Sequence, residues 1–356
     1  MKQRILLLIG STILCLIFSE IVLHVVFRIR NGSWLWQNSP FDIHYAAPVS
    51  DRRQYNLRPN YTDKESAITI NKLGFRGALV SADVDNLLVY LGDSIPFGYG
   101  VKDDETHPFI MSHLLKGMGY KLNVLNAGVP SYNMRQSFDR LIYDVEPNYK
   151  SANKIIIVQA ANDVSLLTQY RENWTPDVTW ADIRMSSKWN IPQYNKSAII
   201  YHFRELLMRI DTFKQPEPNR EEHRKFDDSK MISNIRHVID EGLQYCLSNN
   251  MKVILLPIDP FYYQTMNTER NEVLRQWGRY KRRVKLWKDS SSKINNLLVE
   301  FAKTRKDVFF FDTRKILDQT DRNLMYIDFG HYSPEGNKLV AESLIDFMIA
   351  NQLIGK

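Results

Sequence analysis

The chain has 356 residues and a mass of 41.8 kDa, with 44% apolar and 24% charged side chains. These are globular values, and they exclude disorder, collagen-like repeats or a coiled coil as the overall description. The net charge of +7 comes from 47 basic and 40 acidic residues that are interspersed, which is too mild an excess for a nucleic-acid binder and suits an anionic membrane or glycan surface.

Mean hydropathy is −0.36, and one stretch alone is apolar for long enough to cross a bilayer, so a polytopic membrane protein is excluded. That stretch is Ile5 to Phe27. Its length spans about 30 Å of hydrocarbon at 1.5 Å per residue. It exceeds a secretory h-region, and no small-x-small cleavage site follows it, so it reads as an uncleaved signal anchor over residues 1–30. Leu14 directly before Cys15 argues against a lipoprotein cleavage site. Glu20 and His24 interrupt the run four residues apart, on one helix face. They are expected to reach toward headgroups near the exit interface; the alternative is a contact with a partner helix inside the membrane. Lys2 and Arg4 on one side nearly balance Arg28 and Arg30 on the other. The short N-terminal tail favours an N-in, single-pass orientation, with the large domain on the periplasmic side and Trp34 and Trp36 at the interface. Cys15 lies in the anchor and Cys246 far from it, so no disulfide framework is expected.

Residues 31–85 are polar, aperiodic and rich in Pro, Asn and Tyr, and read as a stalk or wrapping segment that ends in a turn-like Gly74-Phe75-Arg76-Gly77 stretch. From 86 to 356, short apolar runs alternate with amphipathic ones. Strands are predicted at 87–91, 122–125, 154–159, 252–256 and 308–311, and helices at 106–118, 137–144, 233–248, 292–303 and 337–351. Strands separated by helices predict an α/β fold with a parallel sheet covered on both faces and functional residues beyond the strands' carboxyl ends. The alternation breaks at about 166–228, where Trp174, Trp180, Trp189, four prolines and a mixed-charge run suggest an inserted lid or cap. The basic stretch 270–288 interleaves Trp277, Tyr280 and Trp287. It reads as a solvated amphipathic helix, with a membrane- or glycan-facing helix as the alternative.

The first predicted strand runs into Gly92-Asp93-Ser94, which places a serine at the sheet's catalytic edge between flexible glycines. The second ends at Asn126-Ala127-Gly128, where a glycine N–H could approach an oxyanion closely. The third ends at Ala160-Ala161-Asn162-Asp163, and Asn162 could donate a side-chain N–H to the same point. Near the C-terminus, Asp328 and His331 stand three apart, the carboxylate suited to orient the imidazole and the imidazole to act as base toward Ser94.

These four blocks, in this order, resemble the SGNH (GDSL-type) hydrolase superfamily, over roughly residue 71 to the C-terminus apart from the inserted stretch. The anchor, stalk and Gly-Phe-Arg-Gly stretch are similar to bacterial membrane-anchored members. The resemblance implies a three-layer αβα sandwich with a central, mostly parallel five-stranded sheet, the flavodoxin-like arrangement of that superfamily, preceded by one transmembrane helix. It implies Ser94 as nucleophile, His331 as base and Asp328 as its orienter. The Ser94 N–H, the Gly128 N–H and the Asn162 side chain would form the oxyanion hole. Ala160 departs from the family pattern, which has glycine there.

The expected activity is hydrolysis of acyl esters, O-acetyl foremost, on envelope or exported glycans or lipids, through an acyl-serine and without a cofactor. The alternatives are acyl transfer to a glycan by the same residues, or a non-catalytic membrane-anchored binding or assembly protein. The sequence contains no HExxH, CxxC or GxGxxG pattern, so neither a metal nor a nucleotide is expected. His44, His107, His113, His202, His223 and His237 are expected in packing or surface roles.

Overall fold

The computed structural model describes residues 2–31, 34–35, 45–164, 166, 175, 177–179, 197–200, 202–203, 229–259, 281–328 and 330–355. The stretch expected as an insertion at about 166–228, with its three tryptophans, lies mostly outside the described residues, as do Trp36, His44, His223, most of 270–288 and Phe329. The chain divides into two compact units, one of residues 1–56 and 180–219, the other of 57–179 and 220–356.

In the first unit, α1 (Lys2–Asn31) carries the apolar run, and its stretch Leu7–Ile29 is 23 residues of mean hydropathy 2.1, long and apolar enough to cross a membrane or to be a signal sequence. Glu20 does not simply reach outward. Its carboxylate accepts the Ala198 N–H at 2.6 Å, the Ile199 N–H at 3.0 Å and the Ser197 hydroxyl at 3.0 Å, and His24 Nε2 lies 3.2 Å from it. Phe27, Leu35 and Ala198 are buried together, with Leu23 packed on them. The pair β1 (Ala46–Pro48) and β2 (Tyr55–Leu57) follows in sequence.

The second unit begins with an antiparallel pair, β3 (Tyr61–Asp63) and β4 (Ile68–Ile70). Its centre is a five-stranded sheet of β5 (Asn86–Gly92), β6 (Asn123–Gly128), β7 (Asn153–Gln159), β8 (Lys252–Leu255) and β9 (Val308–Phe310). The spatial order is β6-β5-β7-β8-β9, and every neighbouring pair is parallel. Parallel strands covered on both faces read as continuous apolar runs. The Leu87–Leu91 and Ile155–Val158 runs are of that kind and are buried throughout.

Helices cover both faces. On one, α3 (His107–Gly117) packs against α9 (Pro334–Ala350), and Met111, Leu115, Leu344 and Met348 join Leu88, Tyr90, Ile157 and Ile254 in a single core. On the other lie α4 (Met134–Arg140, continuing through a π turn Leu141–Val145 to Glu146–Asn148), α5 (Ser229–Ser248) and α6 (Lys281–Thr304). This is the expected three-layer α/β sandwich. Capping sets several boundaries that periodicity placed less well. Asn133 and Gln136 cap each other reciprocally, so α4 starts at Met134 rather than near Ser137. Ser333 caps α9, with Pro334 in its first turn.

From β5 the chain crosses to β6 on one side, and from β7 it crosses to β8 on the other. The crevice beyond the carboxyl ends of β5 and β7 is therefore the topological switch point, where α/β sheets place their ligands.

Candidate active site

β5 ends in Gly92, and the chain turns sharply there. The φ of Gly92 is +146°, and a Cβ would lie 1.8 Å from the Gln159 carbonyl oxygen, so no other residue fits. Asp93 follows, fully buried, its Oδ1 accepting the Ile95 N–H at 2.9 Å. Ser94 opens the one-turn helix α2 (Ser94–Phe97), which Gly98 closes in the left-handed conformation.

Two side chains brace this turn. Arg76 is buried, and its guanidinium donates to the carbonyls of Phe97 (2.7 Å), Gly98 (2.6 Å) and Val101 (2.7 Å) and to Asp103 (2.8 Å), while lying over the Phe97 ring. Asp103 in turn accepts the Thr69 N–H from β4 at 2.9 Å. Asn126, on β6, donates its side-chain amide to the Pro96 carbonyl at 2.8 Å. Arg76 stands in the stretch that the sequence marked only as a turn. Its role was hidden because its partners lie 21 to 27 residues downstream.

After α7 (Thr313–Leu317), the partners of Ser94 arrive on the loop between α8 (Arg322–Met325) and α9. His331 Nε2 lies 2.7 Å from Ser94 Oγ, and His331 Nδ1 lies 2.6 and 2.8 Å from the two oxygens of Asp328. Asp328 Oδ1 also accepts the N–H groups of Gly330 (3.0 Å) and His331 (2.9 Å). Burial opposes ionisation of Asp328, but the bonds and charge of His331, with those N–H groups, outweigh it and hold the carboxyl below the ordinary carboxylate range. The loop is pinned at both ends. The Tyr326 hydroxyl donates to Asp259 at 2.7 Å, and the Gln159 side chain donates to the Tyr332 hydroxyl at 3.1 Å. The Tyr99 ring lies 4.8 Å from that of His331 and is half exposed, beside the exposed Ile327.

The structure thus brings Ser94, His331 and Asp328 together. No family model matches the chain, and no curated protein matches it. Solved structures do. It is similar to the psychrotrophic esterase EstA from Pseudoalteromonas sp. (15% identity, covering 76% of this chain and 99% of that one, TM-score 0.40). It is also similar to a lipase/acylhydrolase from Enterococcus faecalis (16% identity, 75% and 96%, TM-score 0.40) and to a member of the lipolytic protein G-D-S-L family from Veillonella parvula (11% identity, 73% and 96%, TM-score 0.39). At such values the chemistry has to come from the site's own geometry.

The two remaining sequence candidates are placed differently. Asn162, at the end of β7, has its side-chain N–H on Asp93 Oδ2 at 3.1 Å, and the same oxygen accepts the Ala161 N–H (2.6 Å) and the Asn162 N–H (3.2 Å). Gly128 gives its N–H to Asn126 Oδ1 at 3.1 Å, and a Cβ there would lie 2.4 Å from the Phe97 nitrogen. The close approach of α2 to β6 therefore accounts for that glycine. Three residues on, Ser131 has φ +68°, and its N–H has no acceptor among the described residues. The loop that carries it is fastened where the Val129 N–H meets the Gly92 carbonyl at 3.0 Å. A serine in the left-handed region carries no sequence signal, and sequence reasoning passed over it.

Behind the crevice two acids are buried. Burial raises the pKa of Asp93 against the pull of its N–H donors, and burial together with the Asp93 charge pushes Asp163 up to about 7. Asp163 accepts the Met134 N–H at 2.7 Å. His107, expected in a packing role, is buried with Nδ1 2.8 Å from Asn337 Oδ1, and burial lowers its pKa to about 4.

Proposed function

We propose that the chain is a serine esterase. The observation that carries this reading is the unbroken hydrogen-bonded run from Ser94 Oγ through His331 to Asp328. Ser94 attacks the acyl carbonyl carbon as its hydroxyl proton passes to His331 Nε2. Asp328 holds Nδ1–H and stabilises the imidazolium that forms. The carbonyl oxygen becomes an oxyanion that takes hydrogen bonds from the Ser94 N–H, the Ser131 N–H and the second N–H of the Asn162 amide, the first being held by Asp93. In this assignment Ser131 takes the place expected for Gly128. Collapse breaks the ester C–O bond, and the alcohol leaves with the proton from His331. Water then attacks the acyl-serine by the same base, releasing the acid and restoring Ser94. These steps use no cofactor.

The substrate we assign is an O-acyl ester, acetyl foremost, of an envelope or exported glycan or lipid, with α1 holding the catalytic unit on the periplasmic face of the membrane in a single pass. The apolar run of α1 and the basic net charge support this placement. The open apolar edge of Tyr99 and Ile327 beside His331, where the leaving alcohol departs, supports an alcohol with an apolar face. The test is a panel of p-nitrophenyl esters of increasing acyl length with a fluorophosphonate probe, on wild type and Ser94→Ala. Hydrolysis of short esters and labelling at Ser94 are expected. Absence of both overturns the reading, and labelling without hydrolysis turns it toward acyl transfer.

A further inference from the structure

Glu20 stands within the apolar run of α1, yet its carboxylate is bonded to chain 177 to 179 residues further on. The two N–H groups and the hydroxyl it accepts belong to the start of a helical stretch, residues 198–200 and 202–203. Ala198 is fully buried against Phe27 and Leu23 of α1, while Ile200 is 39% and Phe203 60% exposed. Three kinds of contact therefore fix this stretch at the level of Glu20: a serine hydroxyl, main-chain N–H groups and apolar packing.

Length then decides where that level is. The apolar stretch Leu7–Ile29 is 23 residues, or about 34 Å of helix. Glu20 lies thirteen residues beyond Leu7 and nine before Ile29, about 20 Å and about 14 Å from the two ends. If Glu20 and its partners stood clear of the lipid, the spanning part would run from Ile5 to Ser19, about 22 Å, short of a hydrocarbon core of about 30 Å. A span of sufficient length takes Glu20 below the membrane surface, and residues 197–199 go with it.

We propose that residues 197–200 and 202–203 hold the intramembrane partner of Glu20, part of this chain that enters the lipid beside α1 and turns Ile200 and Phe203 toward acyl chains. The inference rests on the reading of α1 as a membrane anchor. A carboxylate inside a spanning helix is costly, and so are the unpaired N–H groups of a helix start in hydrocarbon. The contact satisfies both sets of groups at once, with His24 adding a further partner one turn along. Two large apolar side chains left open on the same short stretch then meet a surface that suits them.

The test uses the full chain with Cys15→Ser and Cys246→Ser, a single Phe203→Cys or Ile200→Cys carrying an environment-sensitive nitrobenzoxadiazole label, and vesicles of phosphatidylethanolamine and phosphatidylglycerol. Lys338→Cys, on the exposed face of α9, is the water-facing control. Labels at 203 and 200 are expected to emit to the blue of the control, to be quenched several-fold more by acyl-chain spin-labelled lipid, and to resist aqueous iodide. Glu20→Ala is expected to restore iodide access at 203. If 203 and 200 are as open to iodide as 338 while the chain withstands alkaline extraction, the inference is overturned and the anchor stands. If alkali extracts the chain, both fail. Lipid quenching at 203 that persists in Glu20→Ala removes Glu20 as the partner.

Discussion

Asn162 donates its side-chain N–H to Asp93, and Asp93 immediately precedes Ser94. One buried carboxylate therefore joins the end of β7 to the Ser94 turn at the end of β5, and it orients the Asn162 amide in the free protein. A pre-oriented donor acts on the transition state at little reorganisation cost. Removing one such donor costs about 100- to 1,000-fold in turnover. Asn162→Ala should lower kcat by that order with KM nearly constant, because the ground-state carbonyl needs the donor less. Steady-state kinetics on a p-nitrophenyl ester checks it. Normal turnover with a lower melting temperature would leave Asn162 a purely structural link.

Ser94→Ala and His331→Ala should each abolish most esterase activity while the melting temperature changes little, since both side chains lie at the crevice rather than in the core. The double variant should be little worse than either single one, because the groups act as a unit. Multiplicative losses in the double variant would place the two residues in separate roles.

Much of this architecture is legible in the sequence, for identifiable reasons. The five strands of the sheet are buried on both faces, so runs such as Ile155-Ile156-Ile157-Val158 announce themselves without any period. Ser94 is legible because a glycine ends its strand just before it, and Asp328 and His331 because a three-residue spacing lets them share a loop. What escapes is whatever depends on contacts distant in sequence or on backbone conformation. The hydrogen bonds of Arg76 to the chain following Ser94, the φ of Ser131 and the grip of Glu20 on 197–199 have no local signature.

Two buried groups give stability opposite dependences on pH. The folded state holds the Asp163 proton up to about pH 7, while the unfolded chain releases it near the ordinary carboxylate value of 3.8. Stability from this group is therefore lost as pH rises from about 4 through about 7, by on the order of 4 kcal/mol if the group ionises in place. His107 runs the other way. Its folded pKa of about 4 lies below the ordinary 6.5, so the unfolded chain takes up the proton first and stability falls as pH drops through that interval. Asp163→Asn keeps an oxygen for the Met134 N–H and removes the first of these two dependences. It should melt above wild type near pH 8 and show the acid-side loss undiluted. Urea unfolding across this range checks both signs, and a variant that tracks wild type at every pH would show that Asp163 does not titrate in the folded state.

The main chain of Ser131 can be separated from its side chain. At φ +68° a serine is strained by roughly 1 kcal/mol relative to glycine, which reaches the left-handed region freely. The donor assigned to it is the N–H, which glycine keeps. Ser131→Gly should therefore leave kcat and KM close to wild type and raise the melting temperature or leave it level, since glycine also loosens the unfolded chain. Ser131→Ala should likewise retain activity. Ser131→Pro would remove the N–H, but proline's fixed negative φ forbids this backbone, so it would unfold the loop and report nothing about catalysis. A large loss of kcat in both the glycine and alanine variants would assign the function to the hydroxyl and return the second main-chain donor to the Gly128 side of the loop. Its N–H would then have to leave Asn126 during turnover. Asn126→Ala distinguishes that case, because freeing the Gly128 N–H would then raise turnover, whereas in the Ser131 assignment it only loosens the Pro96 carbonyl and lowers it.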